Sequence, residues 1–564
     1  MSYVIRQEMC SCCHRCRVLC PNGAITFKGT KYWIDPDKCV ECGICEKNCH
    51  NAAIILPGAP VRAPELHEVE DTTCDVAVVG AGGSGLIAAV RLAQAGLSVV
   101  VLEKNREAGG NTWYAGGFHG HYSRYLKEAG EPDRRDETVA WIMEHTKGLL
   151  DGDLVHNAIY ASADMMDFLI DHCDCAEDFT LGDTPFGGKG FRFQNRTGTK
   201  YKRIDASIGP GGMGSYIIEK LMGQCEKLQI PVRTSCAAEE LRTTPGGAVC
   251  GVLARDPGGA VEIHCKAVVM AAGSYSHNPE YQNKANPRVM ECKDPAHLFS
   301  IPTCTGDGIT MSEKIGAEID WEHAKAMLIG PAHHPFGFAA VCITRENEVV
   351  LVNRDGKRWA SEVDNTMSLR EVILDQPDRI CWAILDQGTL DYLAERLMHS
   401  SRMDGEHAEI ISHYQEEVDA EAKMDTPVKK ADTLEELANL MGVPAAEFAA
   451  EIRNYNRMCE QGCDTQFGKP AEFLHPMTQP PYYAFYEKMF QENAAGGIKT
   501  DAETRVLDQN GKVIPGLFAV GDNAAGLMLG TGIYAETLER EMSMFTWALT
   551  SGYMAAGAVI NDLK

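Results

Sequence analysis

The stretch CDVAVVGAGGSGLIAAVRLAQAGLSVVVLEKN, Cys74 to Asn105, limits the possible folds of this chain more than any other. Asp75 to Val79 is an apolar run of strand length. Gly80-x-Gly82-x-x-Gly85 follows it, then a helical pattern through Ala95, then a second apolar run ending at Glu103. In such a unit the glycines allow a tight turn, close backbone approach to a pyrophosphate, and close packing of helix on strand. The helix N-terminus offers free N–H groups to phosphate. Glu103 lies 18 residues past Gly85, where a carboxylate can take ribose hydroxyls. A lone G-x-G-x-x-G carries little weight. Strand, helix, second strand and acid in register predict a parallel α/β sheet that binds a dinucleotide.

A second signal precedes it. CSCCHRCRVLCP and CVECGICEKNCH place Cys10, Cys13, Cys16, Cys20 and Cys39, Cys42, Cys45, Cys49 at the same C-x2-C-x2-C-x3-C spacing, 29 residues apart. The first copy also contains C-x-x-C-H, a c-type haem attachment pattern. The second copy lacks it, and eight thiolates in two sets exceed what a haem needs. Structural zinc would suit paired C-x2-C motifs separated by a longer loop. The spacing is that of bacterial ferredoxins and predicts two [4Fe–4S] clusters with exchanged fourth ligands: Cys10, Cys13, Cys16 and Cys49 on one, Cys39, Cys42, Cys45 and Cys20 on the other. Gly43 would let the backbone approach the second cluster. Pro21 follows the first run, whereas His50 follows the second, and Cys12 is left over as a bystander thiol.

At 564 residues the chain has room for several domains. A net charge of −26 argues against nucleic acid or an anionic membrane as partner. No apolar run is long enough to span a bilayer, and MSYVIRQEMC has no signal-peptide core. Nine of 22 cysteines lie in the cluster region and the rest are scattered, which suits free thiols in a reducing cytoplasm. Oxygen-sensitive clusters suggest an anaerobic setting. The proline-rich, then acidic LPGAPVRAPELHEVEDTT reads as a linker.

Further segments resemble one flavoprotein family. GGNTWYAGGF (109–118), KAVVMAAGSYSHN, TGDGITMSEKIGA (305–317), VLVNRDGKRWASE, FAAEIRNYNRMCEQGCDTQFGKP and GKVIPGLFAVGDNAAG are similar, in order, to segments of fumarate reductase, succinate dehydrogenase, urocanate reductase and the 3-ketosteroid dehydrogenases. The resemblance runs from Cys74 to the C-terminus. It implies an α/β fold: a Rossmann-like FAD-binding domain in two segments (74–325 and 490–564) with an α+β capping domain (326–489). A small α+β ferredoxin-like domain (1–58) and a linker (59–73) precede it. The implied FAD residues are Gly80, Gly82, Gly85, Glu103, Lys104, Gly110, Asn111, Thr112, Gly116, Gly117, Ala238, Ala272, Gly273, Asp307, Gly521 and Asp522. Asn111 stands where membrane-bound members carry a flavin-linked histidine, so the FAD is expected to be non-covalent.

The resemblance weakens at the substrate. Fumarate-reducing members carry a proton-transferring arginine soon after the glutamate of the GKRF motif. Here Glu362 is present, position 366 is threonine, and the nearest arginine is Arg370. The family's substrate histidine is replaced by Asn493 in ENAAGG. The C-terminal arginine segment gives way to LGTGIYAETLEREMS, with Tyr534, Glu536 and Arg540 as polar candidates. These losses count against fumarate. Tyr534 resembles the carbonyl-binding tyrosine of the ketosteroid branch. Arg370 or Arg540 is the candidate proton source, and His334, beside His333, a further catalytic candidate. The expected function is reduction of an activated C=C in an enoate, enone or steroid-like substrate. Electrons would pass from a ferredoxin, flavodoxin or partner subunit through the clusters to FAD, because no second dinucleotide turn offers a nicotinamide site. His14 to Arg17 supplies a basic patch beside the first run. The alternatives are a dehydrogenase exporting electrons through the clusters, and a non-catalytic electron-transfer subunit, which would have no need of a cap.

Overall fold

The computed structural model describes residues 2–10, 15–28, 31–47, 49, 53–58, 70–115, 118, 120–128, 130–175, 179–182, 193–196, 212–293, 297–298, 300–324, 326–328, 343–344, 346–363, 369, 372–398, 414–423, 428–527 and 542–564. The chain divides into two compact units. One comprises 48–285, 300–327 and 493–564, and the other 1–47, 286–299 and 328–492.

The first unit is built on a six-stranded sheet. Its elements in chain order are β1 (Val76–Val79), α1 (Gly83–Gln94), β2 (Val99–Leu102), α2 (Gly152–His172), α3 (Gly212–Lys227), β3 (Val232–Arg233), β4 (Ala267–Met270), β5 (Arg505–Leu507), β6 (Val513–Ala519) and α4 (Met544–Leu563). The strand order is β3-β2-β1-β4-β6-β5, parallel except for β5. Every residue of β1, β2 and β4 is buried. This explains why these strands read as unbroken apolar runs: a parallel sheet is covered on both faces. From β1 the chain winds outward through β2 to β3, and the later strands β4 and β6 fill the other side. The sheet therefore reverses direction between β1 and β4, the point where such folds open a crevice at the carboxyl ends of their strands.

Helices fix that crevice. α1 buries Leu86, Ile87 and Val90, and α4 crosses it so closely that a Cβ on Gly552 would lie 2.1 Å from the Ser84 carbonyl oxygen. Asp151 caps α2 by accepting from the Asp153 and Leu154 N–H groups at 2.9 and 3.0 Å. A second sheet, 237–243, 249–256, 259–264 and Thr72–Thr73, covers the other face.

The second unit contains an antiparallel sheet in the order 350–352, 380–386, 482–488, 428–431. Helices 434–441 and 445–461 pack on it through Leu437, Met441, Phe448, Ile452 and Tyr455. The amino-terminal residues of this unit form a hairpin, Ile25–Lys28 with Lys31–Ile34, and two short helices, Arg15–Leu19 and Ile44–Lys47. Each short helix carries the third cysteine of its run, Cys16 and Cys45. Among the described residues no helix is long and apolar enough to cross a membrane.

Candidate active site and cluster ligands

The dinucleotide turn leaves β1 at Gly80, whose φ is +109°. A Cβ there would meet the Ala271 carbonyl oxygen at 2.2 Å, and one on Gly85 would meet the Gly80 carbonyl oxygen at 2.0 Å. Those two glycines are required by the protein's own packing. A Cβ on Gly82, by contrast, would meet no atom of the described residues nearer than 3.9 Å, so among them the space beside it is open. Glu103 follows β2 and is buried. Its carboxylate accepts from the Ala81 N–H at 2.8 Å and the Asn105 N–H at 2.7 Å, which ties the acid to the glycine turn.

Lys104 donates to Thr305 Oγ1 at 2.7 Å and pairs with Asp307 at 2.5 Å, while Thr305 donates to Asp307 Oδ1 at 2.7 Å. Asp307 opens the helix 307–314. In the 3₁₀ turn Gly110–Tyr114, Asn111 accepts from the Ile301 N–H at 2.9 Å, and Thr112 Oγ1 accepts from the Gly83 N–H at 3.1 Å. The glycine-rich start of α3 docks on that turn, where a Cβ on Gly214 would lie 1.8 Å from the Thr112 carbonyl oxygen. Ala238 lies at the start of the 237–243 strand, half-buried and two residues past Cys236, whose N–H donates to the Glu103 carbonyl at 2.8 Å.

The second sequence segment returns through β6, which pairs with β4 in the register Val268↔Leu517. Gly521 then adopts φ +60°, within 2.8 Å of Ser84 Oγ for a Cβ placed there. Asn523 Oδ1 accepts from the Ala272 N–H at 3.2 Å, and Asn523 Nδ2 is buried with no hydrogen-bond partner among the described residues. Gly273 faces the buried Cys304, whose thiol burial pushes up to about 11, with the Asp522 charge adding to the shift. The carboxyl ends of β1, β2, β4 and β6 thus gather Gly80, Glu103, Ala272 and Gly521 with their neighbours. An open glycine face and an unpartnered amide in one crevice fit a nucleotide cofactor. Sequence reading missed Asn523, Thr305 and Asn105. Asn523 stands one residue from Asp522, the only available hint. Gly116, Gly117, His334, Arg370, Tyr534, Arg540 and Cys13 lie outside the described residues.

Glu362, in the GKRW motif, belongs to a buried ionic cluster. Arg358 donates to it at 3.0 and 2.8 Å and to Asp464 at 2.9 Å, and Lys469 stands 3.4 Å away; all four side chains are 0% exposed. Burial raises the Asp464 carboxyl, but the Arg358 contacts outweigh it and bring the group down to about 2.

At the cysteine runs, burial pushes the Cys45 thiol up to about 11, and Cys39, Cys42 and Cys20 are close enough to add to the shift. Each fourth cysteine accepts an N–H···S bond from the residue four positions on: Ala24 to Cys20 at 3.2 Å, Ala53 to Cys49 at 3.1 Å. Gly43 has φ +74°, and a Cβ there would lie 3.3 Å from Tyr3 Oη. Among the described residues no three Cys, His, Asp or Glu side chains converge closely enough for a single metal ion. A four-iron cluster needs a wider ring of sulfurs.

The fold and crevice define an α/β nucleotide-cofactor protein of the doubly wound kind. Residues 75–532 match the FAD binding domain family. Urocanate reductase of Eggerthella lenta is 29% identical over 475 residues, 83% of this chain and 72% of that protein. Vinyl phenol reductase of Lactiplantibacillus plantarum is 27% identical over 485 residues, 80% of this chain and 90% of that one. The open conformation of a flavocytochrome c3 fumarate reductase superposes with a TM-score of 0.67 at 25% identity, covering 87% of this chain and 78% of that chain. The chain belongs to this FAD-binding family and is an FAD-dependent oxidoreductase acting on CH–CH groups.

Proposed function

We propose that this chain reduces a carbon–carbon double bond activated by a carbonyl or carboxyl group, drawing single electrons through two [4Fe–4S] clusters. The observation that supports the reading is the pair of C-x2-C-x2-C-x3-C runs in a chain whose remainder is an FAD-binding oxidoreductase. The names of the reductases of urocanate and vinyl phenol support an alkene as substrate. When bound, FAD supplies hydride from its N5, and the clusters turn one-electron donors into a source of that pair.

The chain's own residues would divide the work as follows. Gly82 and the first turn of α1 receive the pyrophosphate, Glu103 the adenosine ribose, and Asp522 with Asn523 the ribityl side. Asn111 and Thr112, with Gly116 and Gly117, line the flavin ring. The Tyr534 hydroxyl holds the substrate's carbonyl oxygen and stabilises negative charge as it develops there. Arg370 or Arg540 delivers a proton to the α-carbon while the β-carbon takes the hydride; His334 is the further polar group of the site. Thr366, Asn493 and the lost arginine segment leave a dicarboxylate without its clamps, so an enoate with one acid group, an enone or a steroid-like ketone fits better than fumarate.

The test is anaerobic turnover with reduced methyl viologen and a panel of enoates, enones and 3-ketosteroids. Viologen oxidation dependent on one compound class is the expected result. No oxidation with any of them, together with reduction of an artificial acceptor by the saturated ketones, would assign the dehydrogenase direction instead.

A further inference from the structure

The segment that follows β4, SYSHN (Ser274 to Asn278), is a motif to which the chemistry above assigns no task. In the folded chain it grips the 300–306 loop at four points. The His277 N–H donates to the Cys304 carbonyl at 2.9 Å, and the Gly306 N–H donates to the Ser274 carbonyl at 3.2 Å. Asn278 Nδ2 donates to the Thr305 carbonyl at 3.0 Å. The fourth contact is made by a ring: His277 Nε2 stands 3.1 Å from the Ser300 carbonyl oxygen. A carbonyl only accepts, so Nε2 carries the proton. His277 therefore holds the loop at both ends, through its backbone at Cys304 and through its ring at Ser300.

The loop so held reaches two sides of the cofactor crevice. At Ile301, next to Ser300, the backbone N–H donates to Asn111 Oδ1 at 2.9 Å. At Thr303, Oγ1 accepts from Asn105 Nδ2 at 3.0 Å, and the Asn105 N–H donates to Glu103 at 2.7 Å. All these residues belong to one compact unit. The loop is thus a brace between the turn that carries Asn111 and the loop that carries Glu103. Resting on the reading that Asn111 lines the flavin ring and Glu103 takes the adenosine ribose, we propose that His277 is a positioning residue for FAD. It acts through Ser300 and Ile301 on Asn111 and presets the spacing of the two ends of the cofactor site. A brace formed only part of the time lowers the apparent affinity by the fraction of chains that are competent to bind. A hydrogen bond that served fold stability alone would leave the affinity and the environment of the bound flavin unchanged.

The test uses the whole chain in wild-type, His277→Gln, His277→Leu, Thr303→Val and Asn111→Ala forms, each freed of FAD and titrated with it well below its melting midpoint. The readouts are the FAD dissociation constant by equilibrium dialysis and the visible circular dichroism at saturating FAD, minus that of the FAD-free protein. His277→Leu is expected to weaken FAD binding by about tenfold and to alter the flavin dichroism. His277→Gln keeps an N–H donor of similar reach and is expected to restore most of both. Thr303→Val cuts the brace at its Glu103 end and is expected to weaken FAD binding by about fivefold. Wild-type affinity and dichroism in His277→Leu would overturn the proposal, as would a His277→Gln protein as impaired as His277→Leu. If His277→Leu does not fold, wild-type values in Thr303→Val overturn it instead. Asn111→Ala separates the two levels: unchanged affinity and dichroism there would remove the flavin from the 110–114 turn, and the underlying reading would fail rather than the brace alone.

Discussion

At the scale of single residues, the crevice is controlled by atoms that must be absent as much as by those present. Gly80 turns the chain with a positive φ against the Ala271 carbonyl. Gly80→Ala is expected to lower stability by about 1–3 kcal/mol through overpacking and to yield protein depleted of flavin; a thermal melt alongside the flavin-to-protein absorbance ratio checks both. Asn523 illustrates the opposite case. Its Oδ1 holds the Ala272 N–H and its Nδ2 is buried without a partner among the described residues. Asn523→Ala should weaken FAD binding by about tenfold, the worth of one hydrogen bond of about 1.4 kcal/mol, and lower the melting temperature of the flavin-free protein because the Ala272 N–H loses its acceptor. Equilibrium dialysis with fluorescence detection of free FAD would read the difference; unchanged affinity would remove Asn523 from the cofactor site. The glycines were legible in the sequence because their spacing is local. Asn523 was not, because its role depends on Ala272, which lies 251 residues away.

At the scale of elements, the GKRW motif shows what folding adds to a sequence likeness. By resemblance, Glu362 marks the start of a proton-transfer segment. In the folded chain it is closed in by Arg358, Lys469 and the backbone N–H of Leu351 at 3.1 Å, so its first task is to hold the 350–352 strand to the 464–469 loop. Removing one member of a buried ionic cluster leaves the others uncompensated. Arg358→Met should therefore destabilise the unit that contains this cluster by about 3–5 kcal/mol in urea unfolding. The same cluster predicts a pH response. Asp464 is held at about 2 in the folded chain, below the ordinary carboxylate value. Its contribution is complete above about pH 4, the unfolded value, and is lost as pH falls through about 2. A urea midpoint that declines toward low pH in wild type, and declines less in Asp464→Asn, is the expected pattern; parallel declines would contradict it. The charges in this cluster were visible in the sequence, but their four-way pairing spans more than 100 positions and has no local period.

At the scale of the whole molecule, an FAD-binding oxidoreductase carries two cysteine runs of ferredoxin spacing, and both signals are short-range patterns. The βαβ turn is contained within about thirty residues and the paired cysteine runs within about forty, so spacing alone carries both signals. The structure adds the switch point between β1 and β4, the return of β6 beside α1, and the matching N–H···S bonds at Cys20 and Cys49. The identity of the alkene is a property of pocket shape built from segments distant in the chain, which no periodicity encodes. The central claim, that clusters and flavin act together on an alkene, makes a stoichiometric prediction. Fully reduced protein would hold one electron on each cluster and two on the flavin. The most direct measurement is an anaerobic titration of the reduced chain with the alkene found by the viologen assay, following cluster and flavin absorbance together. Reoxidation of both chromophores, complete at about two equivalents of alkene per chain, is the predicted result. Recovery of the flavin alone at about one equivalent, with the clusters left reduced, would contradict the claim.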